Sequence, residues 1–213
     1  MVWRIADKIP RNLLELISEI FSVGNVDKNS NPEFISNRNQ DRAIKAVSEK
    51  RLRSLGQISG IIEILGNKVS LGRKLFEITS SIGSVYRIYL ISERGKERKD
   101  QYLAIERDDF SNLDPIVERL LKETIRYGIF DESRLDYARN DRIKKPVYIL
   151  NRIYCPTFGI GLQRDQHLRL SRGKFEELFL SPQKFVIDGT HRLRVFSSSD
   201  KSTQQSLFND LIL

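Results

Sequence analysis

The segment from Leu113 to Gly128 constrains this chain more than any other. Its apolar residues Leu113, Ile116, Val117, Leu120, Leu121 and Ile125 recur at three- and four-residue steps, the spacing of one helix face. Asp114 stands where an N-cap would accept backbone N–H bonds, Pro115 pre-sets the first turn, and Gly128 offers the left-handed residue that ends a helix. A helix with a fixed start and stop is therefore predicted over Pro115 to Tyr127. Behind it come the short apolar run Ile129–Phe130, a polar segment from Asp131 to Lys145 rich in Arg and Lys, and a strand-like run from Val147 to Cys155.

Helix, strand, charged loop, strand is the order of the second half of a winged helix-turn-helix, and the remaining residues are weighed against that possibility. The 36 basic and 28 acidic side chains leave a formal net charge of +8, which favours polyanionic partners through steering and counterion release. Acidic residues are interspersed throughout, so part of that charge serves only to solvate the surface. No apolar run approaches the roughly 20 residues needed to span a bilayer, so a cytoplasmic protein without a membrane partner is expected.

Upstream, a helix is expected to begin near Pro10, with Leu13, Leu14, Ile17, Ile20 and Phe21 on one face and Gly24 at its end. A second runs from Gln40 to Leu55 through Ala43, Ile44, Val47 and Leu52. Beyond Gly56 the spacing of Ile58, Ile61, Ile62 and Leu65 continues in helical steps up to Gly66. Ser70 is placed to cap a short helix reaching Thr79. Val85–Ser92 and Gln101–Arg107 are aromatic and β-branched runs around a polar, basic tip, which predicts a hairpin. A strand is expected at Leu168–Leu170, a helix begun at Ser171, a basic strand over Gly189–Phe196, and a flexible tail beyond it.

The chemistry of catalysis is thin. Gly66 and Gly72 are separated by five residues where a Walker A loop has four, and Leu75 follows Lys74 where Ser or Thr would bind magnesium. His167, His191 and Cys155 lack metal-ligand spacing, and Cys155, inside an apolar run, reads as a small core residue. Asp108 and Asp109, or Asp188 with Lys184, are fragments of a nuclease site at most. A non-enzyme with no cofactor and no metal is expected.

Binding chemistry is better represented. Arg119, Lys122 and Arg126 share one side of the Pro115–Tyr127 helix, as a recognition helix in a major groove requires. Glu118 and Glu123 weaken the field there, and a solvated face with internal ion pairs would have the same composition. In the following loop Arg139, Arg142, Lys144 and Lys145 could contact a duplex backbone, although a plain surface hairpin would look similar.

Three stretches resemble the C-terminal part of origin-recognition-like AAA+ ATPases. Ile9–Phe21 (IPRNLLELISEIF) is similar to the lid segment in which a Pro-Arg dipeptide opens an apolar helix. The helix through DRAIKAVSEKRLRSL is similar to the one that closes the lid. Pro146–Pro182 (PVYILNRIYCPTFGIGLQRDQHLRLSRGKFEELFLSP) resembles the terminal strand, Pro-x-Phe turn and final helix of the winged-helix region. The resemblance implies DNA contact through the winged helix, and it matches Arg11 to the lid arginine that senses the nucleotide phosphate. These residues carry no Walker motifs, so Arg11 would need an ATPase core supplied from elsewhere.

The expectation is an α+β protein. Residues 1–55 form a helical lid-like segment, 56–182 a winged-helix-like domain with β-hairpins, and 183–213 a basic strand and flexible tail. The expected partner is double-stranded DNA, contacted through Arg119, Lys122, Arg126, Arg139, Arg142, Lys144 and Lys145. A protein-interaction domain, or an accessory subunit of an ATP-dependent complex, is the alternative.

Overall fold

The computed structural model describes residues 2–6, 10–24, 35–91, 102–107, 112–134, 146–161 and 166–194. Helices α1 (Val2–Ile5), α2 (Pro10–Val23) and α3 (Asn37–Leu55) come first. Leu16 and Ile20 of α2 and Ala43, Ile44, Val47 and Leu52 of α3 are buried, and the two helices pack together along these faces. Polar contacts fix their register. Glu15 pairs with Arg51 and, at 3.8 Å, with Lys50, and Arg51 also donates to Asn12 Oδ1 at 3.3 Å. Ser36 caps α3 by accepting from the Asn39 amide.

Beyond Gly56 the chain forms a hairpin, β1 (Ile61–Ile64) and β2 (Asn67–Ser70), not the helical continuation expected of Ile58–Leu65. The reason lies in the turn. Ile64 pairs with Asn67, leaving Leu65 and Gly66 as a two-residue loop with φ of 50° and 80°, the two positive values of a hairpin turn that follows the twist of its strands. The apolar residues then alternate, with Ile62 and Ile64 buried and Ile61 and Leu65 exposed.

Helix α4 (Leu71–Ile91) follows directly. Ser70 accepts from the Arg73 amide as expected of a cap, but the helix runs far past Thr79. The strand predicted at Val85–Ser92 is corrected: as far as Ile91 it is helical, because Leu75, Ile78, Ile82, Val85 and Tyr86 bury one face at three- and four-residue steps. The basic tip expected between Ser92 and Gln101 lies outside the described residues.

Strand β3 (Tyr102–Arg107) therefore has other partners than that segment. Helix α5 (Pro115–Arg126) follows it, then β4 (Phe130–Arg134) and β5 (Pro146–Leu150). A short 3₁₀ turn (Arg152–Tyr154) and α6 (Cys155–Phe158) replace the second half of the strand expected over Val147–Cys155. Asn151 causes the break, since its side chain caps the turn by accepting from the Ile153 amide at 3.0 Å. Strand β6 (Gln166–Leu170) and helices α7 (Arg172–Leu180) and α8 (Pro182–Arg194) end the described chain. The basic strand expected from Gly189 is thus corrected to helix as far as Arg194, with Phe185 and Val186 buried. The expected tail lies outside the described residues.

The larger sheet has the order β4-β5-β3-β6, antiparallel except between β3 and β6. Its aromatic packing continues into α7, where Phe175 stands 5.7 Å from Tyr148 and 5.1 Å from Phe179. One buried apolar cluster extends from Ile5 through this sheet to Val186. The α3 helix reaches across to α6, where the Thr157 amide donates to Ser48 Oγ at 3.1 Å and the two hydroxyls lie 2.6 Å apart. The molecule is an α+β protein in which N-terminal helices precede β-hairpins.

Candidate nucleic-acid interface

Helix α5 is built as its sequence implies. Asp114 Oδ1 accepts from the Ile116 amide at 2.7 Å. At the other end Gly128, with φ of 66°, lets its own amide reach Ile125 O and the Ile129 amide reach Thr124 O, the paired bonds of a Schellman stop. Val117, Leu120, Leu121 and Thr124 are buried, which turns Arg119, Lys122 and Arg126 outward and leaves all three exposed. Glu176 of α7, held by Arg172 at 2.9 Å, also accepts from the Asp114 amide at 3.4 Å.

The three cations are not equivalent. Lys122 binds Glu118 at 2.7 Å, and that hydrogen bond and charge hold the Glu118 carboxyl below its ordinary range. Arg126 lies 3.5 Å from Glu123 and 5.6 Å from the Tyr127 ring centroid. Arg119 makes no ion pair with another described residue. Phosphate oxygens would therefore meet Arg119 directly and compete with carboxylates for the other two. Arg139, Arg142, Lys144 and Lys145 lie outside the described residues. The described strands on either side of that segment end at Arg134 and Pro146, which are partners in the β4–β5 ladder.

Arg11 is exposed in the first turn of α2, on a separate helix from Arg119, Lys122 and Arg126. Gly66 sits in the β1–β2 turn and Gly72 in the first turn of α4. Lys74 is buried, its Nζ donating to Leu180 O at 2.9 Å with Glu77 at 3.9 Å. Burial lowers its pKa, with Glu77 opposing. Cys155 is fully buried, the core role expected of it. Among the described residues, no three His, Cys, Asp or Glu side chains converge on a metal position. Lys184 and Asp188 belong to a clamp between α7 and α8. Lys184 lies 3.6 Å from Glu177, while Lys174 bridges Glu177 and Asp188, the latter at 2.6 Å. No described helix is long and apolar enough to cross a membrane.

One set of cations went unremarked in the sequence. Arg38, Arg42, Lys45, Lys50 and Arg53 are all exposed on α3. Their signal in the sequence is the three- and four-residue steps from Arg38 through Arg42 and Lys45 to Glu49 and Arg53.

The geometry thus defines an α+β protein with a capped, cation-bearing helix between two strands of one sheet. The chain belongs to the ORC-CDC6-like family, whose model matches residues 1–170. No curated protein and no solved structure matches it.

Proposed function

We propose that this chain is a non-catalytic, duplex-DNA-binding module of winged-helix type within an ORC-CDC6-like protein. The observation that carries the reading is the path β3–α5–β4–β5, whose three strands pair antiparallel in the order β4-β5-β3. The exposed row Arg119, Lys122, Arg126 lies on the helix of that unit. In this reading α5 enters the major groove, and Arg139, Arg142, Lys144 and Lys145, on the segment joining β4 to β5, rest on the phosphate backbone. Residues 1–55 act as a lid-like segment whose Arg11 is available to a nucleotide phosphate held by an ATPase core. The module works in the cytoplasm.

A protein-docking surface is the second reading, favoured by one observation: two of the three α5 cations already have carboxylate partners. Binding of duplex DNA across a salt series, for the wild type and for Arg119→Ala/Lys122→Ala/Arg126→Ala, separates the two. Backbone binding predicts a log–log salt slope of about −0.9 per neutralised phosphate, which the triple variant makes shallower. Wild-type binding that the triple variant leaves unchanged rules out α5 as the reader.

A further inference from the structure

The outward face of α3 carries more unbalanced charge than that of α5. It exposes Arg38, Arg42, Lys45, Lys50 and Arg53 against the carboxylates Asp41 and Glu49, whereas α5 sets three cations against Glu118 and Glu123. Placed at 100° per residue, Arg38, Arg42, Lys45, Glu49 and Arg53 fall within one narrow stripe. Lys50 lies beside it and leans toward Glu15 of α2. The stripe from Arg38 to Arg53 is about 22 Å long at 1.5 Å per residue. Glu49, inside the stripe, is shared, lying 3.8 Å from Lys45 and 3.7 Å from Arg53, and the exposed Asp41 borders the stripe on the side opposite Lys50. Arg38 and Arg42 make no ion pair with another described residue.

Arg38 and Arg42 tie α3 to no other described element, and Lys45 and Arg53 reach only Glu49 of their own helix. Inward-facing Arg51 of the same helix shows the contrast. It is tied to Glu15 and Asn12, and its charge opposes the burial that pushes Tyr154 up to about 12. Among the described residues, the outward arginines make no such contact with another element.

We propose that the exposed face of α3 is a second phosphate-binding surface, a straight track of cations for the backbone of duplex DNA, separate from α5. The chemistry of the face selects this partner. A membrane-bound helix needs large apolar side chains flanking its charges, yet the largest apolar residue exposed on α3 is Ala46. A duplex presents one negative charge per roughly 1.7 Å of axis, so a row of this length meets several phosphates. The proposal rests on the reading of the chain as a DNA-binding protein but not on α5 being its reader.

The test uses the full chain, a 20-base-pair duplex of arbitrary sequence and a salt series. The wild type is compared with Arg38→Ala/Arg42→Ala/Lys45→Ala and, separately, with the α5 triple variant, with thermal melts to confirm that each is folded. Alanine suits exposed helix positions, so the fold should be retained. If the track holds the duplex, the α3 variant weakens binding at low salt at least roughly tenfold, and its salt slope becomes shallower by about 2.7, or 0.9 for each phosphate that is no longer neutralised. Arg38→Lys/Arg42→Lys, which keeps the charges, should retain most of the affinity.

An α3 variant within twofold of the wild type, beside an α5 variant that fails to bind, would overturn this proposal and leave the α5 reading standing. The reverse pattern would support α3 and remove α5. A wild type that binds no duplex at low salt overturns both. Equal or tighter binding to phosphatidylserine vesicles, abolished in the same α3 variant, would overturn the choice of partner.

Discussion

Helices α4 and α5 precede and follow β3 in the chain, and they are stabilised at different places along their length. In α5 the ends are specified: Asp114 caps the start, and Gly128 closes the stop through two backbone bonds. In α4 the start is capped by Ser70, and the run past Thr79 is specified in the middle. Gly83 lies against the ring of Phe158, so closely that a Cβ there would stand 2.3 Å from Cε2, and Arg87 donates to Gly159 O at 2.9 Å. Local chemistry thus defines α5, and packing against a residue 75 positions away defines α4. A helix of the first kind can be located from its own sequence. One of the second kind is located only when its partner is known.

The largest effect should come from Gly83→Ala. Alanine is the better helix former by about 1 kcal/mol, so a helix governed only by local preference would be stabilised. Here the added methyl meets the body of a buried aromatic ring, and overpacking of this kind costs about 1–3 kcal/mol. At this separation the upper end applies, so a net loss of about 2 kcal/mol is expected in urea unfolding. Combining it with Phe158→Leu should recover part of the loss, a coupling that a double-mutant cycle reads directly. If Gly83→Ala instead raised stability, the close approach would not be what holds α4.

The same contrast explains which parts of the molecule were legible in advance. Cap residues and apolar spacing located α5, and the start of α2 at Pro10 was read from Pro10 itself. Val85, Tyr86, Ile88, Tyr89 and Ile91 have strand-like composition, and nothing local to them records that Val85 and Tyr86 complete a buried stripe begun at Leu75. Gly189 and its basic neighbours misled for a related reason, since Phe185 and Val186, which anchor α8, lie just upstream. For the candidate interface, spacing placed Arg119, Lys122 and Arg126 on one side of a helix. It also put Glu118 and Glu123 beside them as possible ion-pair partners, but it did not reveal which two cations they take up, nor that the less balanced row of cations lies on α3.

Asp114→Ala tests the other side of the comparison. The substitution leaves the Ile116 amide without its acceptor and removes a negative charge from the positive end of the helix dipole. A loss of about 1 kcal/mol is expected, with Asp114→Asn restoring most of it because the amide oxygen accepts equally well. Hydrogen exchange should show the opening confined to the first turn of α5. A change within about 0.3 kcal/mol of zero would mean that the buried face of α5, and not its cap, determines where it begins.

The smallest effect concerns the hairpin, a third case in which the turn residue contradicts its own geometry. Leu65 adopts φ of 50°, a left-handed conformation that burdens a side chain with a Cβ and suits Asn or Gly. Its side chain is 78% exposed, so replacing it removes little packing. Leu65→Asn keeps the backbone geometry, relieves the strain and takes an apolar group out of water. A gain of up to about 1 kcal/mol in unfolding free energy should follow. The ladder from Ile61–Ser70 to Ile64–Asn67 should keep its register, because Gly66 supplies the second positive φ in either case. A loss of stability would show that the leucine side chain contributes packing that outweighs the strain. The hairpin would then resemble α4, specified by what it touches, and not α5, specified by the residues at its bends.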